Sequence, residues 1–217
     1  MKIDTGSIRE AIIAEGIDLV GIADAGSLVL SYPPRPATDI LPTARSVIVM
    51  AVAHNMGAVR APYLKLWTRN KMETSRLLDR TAEKLARQLE GEGYVSLPVS
   101  ADKPVEIYKR DPGTGAKLRH PRVAGHLSLK HAAVSCGLGE IGRSNLLLTE
   151  QFGPHQRLGA IITELELEPD PPRRPGLCDE CGCCEQACPV GALVADSPHD
   201  GAGRQDAWRR QSYRGST

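Results

Sequence analysis

With 217 residues, the chain has room for one sizeable hydrophobic core and a small appendage. Its 27 Lys and Arg against 26 Asp and Glu exclude a global electrostatic pull toward nucleic acid or membrane, and its longest apolar run, VIVMAVA at 47–53, is too short to span a bilayer. A hydrophobic content of 41% suits a folded soluble domain, and with Phe152 as the only phenylalanine the core is expected to be aliphatic.

Ser7-Ile8-Arg9-Glu10 fits a capping box. Ile8, Ala11, Ile12 and Glu15 then keep helical spacing as far as Gly16, so the chain is expected to open on a short helix. Residues 1–15 are amphipathic and charged and resemble no signal peptide. Residues 17–23 (IDLVGIA) form a β-prone run; a crossing rich in proline follows, with Pro33, Pro34, Pro36 and Pro42, and then a buried-looking strand at 46–53. From 63 to 90 the period is helical: Leu78, Ala82, Leu85 and Leu89 fall on one face, basic residues occupy the others, and Gly91 and Gly93 end the run. Residues 94–99 read as another strand, so alternating α and β elements make the expected fold class α/β (α+β).

The basic stretch 103–122 is expected to be a solvated, mobile loop. The functional alternative is a patch that contacts nucleic-acid phosphates, but Tyr108 is the sole aromatic there for base stacking. Residues 126–135 look helical and lead into GLGEIG, in which Gly137, Gly139 and Gly142 match G-x-G-x-x-G. A dinucleotide fingerprint needs a strand before the glycines and a helix after them. Here a helix precedes and the strand-like stretch 145–149 follows, so no nicotinamide site is expected; the glycines instead imply a tight backbone loop that something flat or bulky can approach closely. Residues 157–165 are a further strand, and Pro169, Pro171, Pro172 and Pro175 form a linker.

The most specific signal comes next. Cys178, Cys181, Cys184 and Cys188, followed by Pro189, spell C-x2-C-x2-C-x3-C-P, the bacterial run that holds a four-iron four-sulfur cluster. Closely spaced thiolates on a tight loop can wrap one face of a cubane, and residues 190–193 can then begin a short helix. Zinc normally takes two cysteine pairs set a longer loop apart. A disulfide framework suits neither the crowding of the cysteines nor a chain without a secretory signal; thiols kept for metal point to the cytoplasm. Counting through Cys183 instead of Cys184 gives C-x2-C-x-C-x4-C, which fits no cluster run, so Cys183 reads as a bystander. In two-cluster ferredoxins the fourth cysteine serves the other cluster, and no second run is present here. Either Cys188 closes its own site, or Cys136 or a partner chain supplies the fourth ligand, or the natural protein continues beyond residue 217. Residues 195–217 have no apolar period and are expected to be disordered or to mark a truncated end.

The succession GHLSLKHAAVSCGLGEIGRSNLLLTEQFGPHQRLGAIITELELEPD, followed by CDECGCCEQACPVGAL, resembles the core of the epoxyqueuosine reductase and reductive dehalogenase superfamily. The resemblance implies an α/β cobalamin-binding domain over residues 1–170 and a ferredoxin-like 4Fe-4S segment over 171–194. The cluster would feed single electrons to a corrinoid for reductive removal of oxygen or halide at an activated carbon, with Gly137, Gly139 and Gly142 as the backbone the corrinoid approaches. It further implies an electron-donor protein, a small-molecule or tRNA-borne substrate, no membrane and a homo-oligomer as a possible assembly. Epoxyqueuosine reductases place an aspartate, the proposed proton donor, shortly before the glycine loop; here no carboxylate lies between Asp111 and Glu140, which leaves His120, His126 and Tyr108 as substitutes. The competing functions are a non-enzymatic electron-transfer or cluster-carrying module and a purely structural cluster.

Overall fold

The computed structural model describes residues 3–28, 36–102, 106–110, 115–124, 127–191 and 193. Its centre is β2 (Ser46–Ala53), apolar at every position after Ser46 and buried along almost its whole length, as expected of a strand covered on both faces. Around it a four-stranded sheet runs in the order β1 (Leu19–Asp24), β2, β8 (Gln156–Thr163), β3 (Ser96–Val99). Every neighbouring pair is antiparallel. The expected mixture of helices and strands is therefore present in its α+β form. β2 and β3 do run parallel, joined through a long helix, but β8 arrives later in the chain and inserts between them in the opposite direction.

Alternate side chains of β2 enter separate cores. Ile48, Met50 and Val52 face α1 (Thr5–Ala14) and α4 (Leu64–Gly91), which contribute Ile8, Ile12, Leu78, Ala82, Leu85 and Leu89. Val47 and Val49 face the other side, where α2 (Ala37–Ile40) contributes Ala37 and α5 (Leu129–Ser135) contributes Ala132 and Ala133, with Cys136 directly after it. The face of α4 read from its period is thus the one buried. Gly21 lets the second layer close down: a methyl group there would lie 2.5 Å from the Cys136 sulfur. A short helix α3 (Met56–Arg60) leads into α4. Among the described residues no helix is long and apolar enough to cross a membrane.

Three local expectations are corrected. The first helix starts earlier than Ser7: Asp4 is its N-cap, accepting from the Ser7 amide at 2.8 Å while its own N–H donates to Ser7 Oγ. Ser7 is thus the N3 partner of a capping box, not its cap. The supposed loop at 103–122 contains a two-stranded antiparallel hairpin, β4 (Glu106–Arg110) with β5 (Lys117–Ala124), broken by a register shift after Tyr108. The short helix expected at 190–193 forms before Pro189 instead, as α6 (Cys183–Gln186). The tail expected at 195–217 lies outside the described residues.

The proline linker is held against the core. Leu165 and Leu167 are buried with the α1–α4 core. The Asp170 N–H donates to the Ile22 carbonyl, and its carboxylate accepts from the Ile22 N–H at 2.7 Å and from the Arg9 guanidinium at 2.6 and 2.5 Å. Asp170 thereby covers the open edge of β1. Asp170→Ala is expected to cost about 1.5–3 kcal/mol, the range for hydrogen bonds to a charged group. Urea unfolding measures that loss, and faster hydrogen exchange at the Ile22 amide localises it.

Candidate functional site

The site grows from the C-terminal end of α5. The helix stops at Cys136, and Gly137, at φ +71°, turns the chain back. Leu138 and Gly139 then lead into a small hairpin, β6 (Glu140–Ile141) paired with β7 (Leu147–Leu148). At its tip Asn145 adopts φ +61°, and Lys130 of α5 donates to both the Asn145 carbonyl (3.0 Å) and its side-chain oxygen (2.6 Å). Burial lowers the Lys130 pKa to about 8. His131 beside it is pushed down to about 4, by burial first and by the Lys130 charge second, so it is neutral at physiological pH; its Nδ1 lies 2.6 Å from Ser128 Oγ.

The three glycines are packed against the chain itself. A side chain at Gly137 would overlap the Pro171 carbonyl oxygen, and one at Gly139 the Leu148 carbonyl oxygen. At Gly142 a methyl group would meet the Leu148 side chain at 2.7 Å and lie 3.6 Å from the Cys178 sulfur. The glycine loop and the cysteine run, distant in sequence, are therefore neighbours. Glu140 fastens them: its buried carboxylate accepts from the Gly176 N–H at 2.7 Å and the Cys178 N–H at 2.6 Å. Arg143, from the same hairpin, pairs with Glu185 at 2.5 Å and with Glu180 at 4.0 Å.

Within the run the chain turns sharply, with Glu180 at φ +55° and Gly182 at φ +74°. All the cysteines are free thiols; Cys178, Cys184 and Cys188 are half-buried, while Cys181 and Cys183 are exposed. The donor set has the chemistry of an iron–sulfur ligand set: soft thiols on a loop able to close around a cluster. Among the described residues no three His, Cys, Asp or Glu side chains are gathered closely enough to hold a metal ion, so the thiols would have to be drawn together by the group they bind. Cys136, the alternative fourth ligand, is a core residue, its thiol raised to about 12 chiefly by burial, and it donates to the Ala133 carbonyl.

Of the proton-donor substitutes, Tyr108 lies on β4 opposite Arg122, His120 lies on β5, and His126 is outside the described residues. Sequence reasoning did not single out Glu140, Arg143 or Lys130. The first two stand inside and just after GLGEIG, where the glycines drew the attention. A cleft of about 230 Å3 adjoins the hairpin, with Leu129, Leu147 and Leu158 as apolar wall and Lys130, Gln156 and Arg157 as polar groups. Arg157 is held there by Asp102 at 2.5 Å and Ser75 at 3.2 Å. Its charge, after the opposing effect of partial burial, helps to lower the Asp102 pKa.

No protein-family profile matches the chain. It is similar to the epoxyqueuosine reductase of Gloeobacter violaceus, 30% identical over 175 residues, which are 78% of this chain and 48% of that one. It is also similar to the tetrachloroethene reductive dehalogenase of Desulfitobacterium hafniense, 48% identical over 64 residues, which are 28% of this chain and 12% of the dehalogenase. A solved reductive dehalogenase, whose structure was described as suggesting a mechanism for B12-dependent dehalogenation, superposes with a TM-score of 0.63 at 20% identity. That match covers 87% of this chain and 25% of the dehalogenase, and at this identity the likeness is one of fold. The chain spans about half, or less, of the length of the curated relatives it matches.

Proposed function

Because this chain belongs to the superfamily of the epoxyqueuosine reductases and reductive dehalogenases, we propose that it is, or is part of, an iron–sulfur reductase that passes single electrons to a second cofactor. Cys178, Cys181, Cys184 and Cys188 would hold a four-iron four-sulfur cluster, which supplies one electron at a time at low potential. The observation that carries the reading is the junction described above, where Glu140 grips the backbone on both sides of Leu177 and Gly142 lies against the Cys178 sulfur. A cluster there would sit on the core domain's glycine loop, the loop we assign to the border of the second cofactor through Gly137, Gly139 and Gly142.

A corrinoid is the second cofactor that kinship suggests. The reaction we propose is reductive removal of oxygen or halide from an activated carbon, with electrons from a donor protein. The substrate is a small molecule or a tRNA-borne nucleoside, and the cleft beside Lys130 is the place we assign to its reacting part. Lys130, half-buried and with its pKa lowered to about 8, can hold and release a proton near neutral pH.

The test uses anaerobically reconstituted protein titrated with hydroxocobalamin and followed by electron paramagnetic resonance after dithionite reduction. The expected result is a perturbed cobalt signal and cluster-dependent cobalt reduction, with Cys181→Ser keeping cobalamin binding and losing that reduction. A cobalt signal unperturbed at any protein excess would leave the electron-carrier function in its place.

A further inference from the structure

The β6–β7 hairpin carries two opposite charges, and both turn toward the cysteine run. Glu140 is 8% exposed and takes up the N–H groups of Gly176 and Cys178. Arg143, with a side chain 14% exposed, reaches Glu185 and Glu180, the sequence neighbours of Cys184 and Cys181. We propose that these two residues set the reduction potential of the cluster held by the run, Glu140 lowering it and Arg143 raising it; the inference rests on the cluster reading above.

Cluster potential follows net charge, hydrogen bonds to sulfur and exposure. Reduction adds one negative charge to the cluster, and a carboxylate held beside Cys178 in a poorly hydrated place opposes that addition. Glu140 acts a second time in the same direction. The Cys178 N–H it occupies belongs to a ligand residue, and an amide bonded to a carboxylate is withheld from sulfur. Arg143 works in the opposite sense, since its guanidinium offsets carboxylates on both sides of the run, at Glu180 and Glu185. Remove it and those charges face the cluster uncompensated. Neither residue touches a reacting atom; both are positioning residues whose charge is the active property.

The opposed signs separate this role from that of a latch, because loosening the loop would move the potential the same way whichever fastening were cut. Wild type, Glu140→Gln, Arg143→Gln and Arg143→Lys are reconstituted anaerobically, analysed for iron and sulfide, and titrated with dithionite against redox dyes under paramagnetic resonance detection. At a fixed ambient potential, the reduced-to-oxidised ratio is expected to rise at least tenfold in Glu140→Gln and to fall at least tenfold in Arg143→Gln, each tenfold step being about 59 mV for a one-electron couple. Arg143→Lys, which keeps the charge, is expected to stay at the wild-type potential. Potentials indifferent to both glutamine substitutions, shifts of one sign in both, or an Arg143→Lys shift as large as that of Arg143→Gln would overturn the inference while leaving the cluster reading intact. Should Glu140→Gln take up no cluster, the two Arg143 variants decide the matter by themselves. A wild-type chain that takes up no iron defeats the cluster reading, and this inference with it.

Discussion

Replacing Cys184 with serine is expected to abolish cluster uptake, and replacing its neighbour Cys183 is expected to leave it unchanged. Only Cys184 completes the C-x2-C-x2-C-x3-C spacing. The two residues also differ in placement: Cys183 opens α6 and is exposed, whereas Cys184 is half-buried within the same short helix. A serine hydroxyl is a hard, weakly acidic ligand and a poor replacement for a soft thiolate on iron, so the loss at the right position should be nearly complete. Iron and sulfide per chain, with visible absorbance after anaerobic reconstitution, give the readout, and far-UV circular dichroism should match wild type in both variants. The reverse outcome would move the ligand register to Cys183. A colourless wild type that takes up zinc stoichiometrically would replace the cluster with a zinc site.

The parts of the fold that could be read directly were those in which one local signal acts alone. The short, β-branched apolar run 47–53 of β2 marked a strand buried on both faces, and the period of α4 marked Leu78, Ala82, Leu85 and Leu89 as its inner face because nothing else competes for them. What stayed hidden depended on partners far along the chain. The antiparallel insertion of β8 between β2 and β3 is invisible to any window of sequence. The β4–β5 hairpin was obscured because its lysines and arginines suggest solvent, while its backbone pairing is indifferent to charge. Asp4 was passed over because Ser7 and Glu10 form an equally good capping pattern, and the hydrogen bonds, not the pattern, decide between them.

The site divides in the same way. The cysteine run announces itself by spacing. Glu140 and Arg143 have no such signature: a lone Glu and a lone Arg in a glycine-rich stretch carry no period, and only the return of the chain gives them work, at Gly176 and Cys178 for Glu140 and at Glu180 and Glu185 for Arg143. Asp170 is similar, an ordinary acid among prolines until Arg9 and Ile22 are seen around it.

Gly139→Ala is expected to destabilise the chain by about 3 kcal/mol, the upper part of the range for overpacking, even with no cofactor bound. The added methyl would overlap the Leu148 carbonyl oxygen, lie 2.9 Å from the Leu148 carbonyl carbon and reach within 3.3 Å of a Leu147 methyl. Backbone cannot swing aside as a side chain can. Relieving the clash means separating Glu140 from Leu148, a cross-strand pair of the hairpin. Gly142→Ala makes the useful contrast, since its new methyl meets the flexible end of Leu148 at 2.7 Å; the leucine can shift rotamer, and a loss of about 1 kcal/mol is expected. Glu140 follows Gly139 directly, so the larger clash should also release the cysteine run: limited proteolysis should cut near Gly176 in Gly139→Ala and spare Gly142→Ala. Urea unfolding of the cofactor-free protein measures both losses. Equal and small effects at the two positions would mean that the hairpin tolerates the methyl group, and that Gly139 is needed for the approach of a bound cofactor and not for the close contact of backbone with backbone.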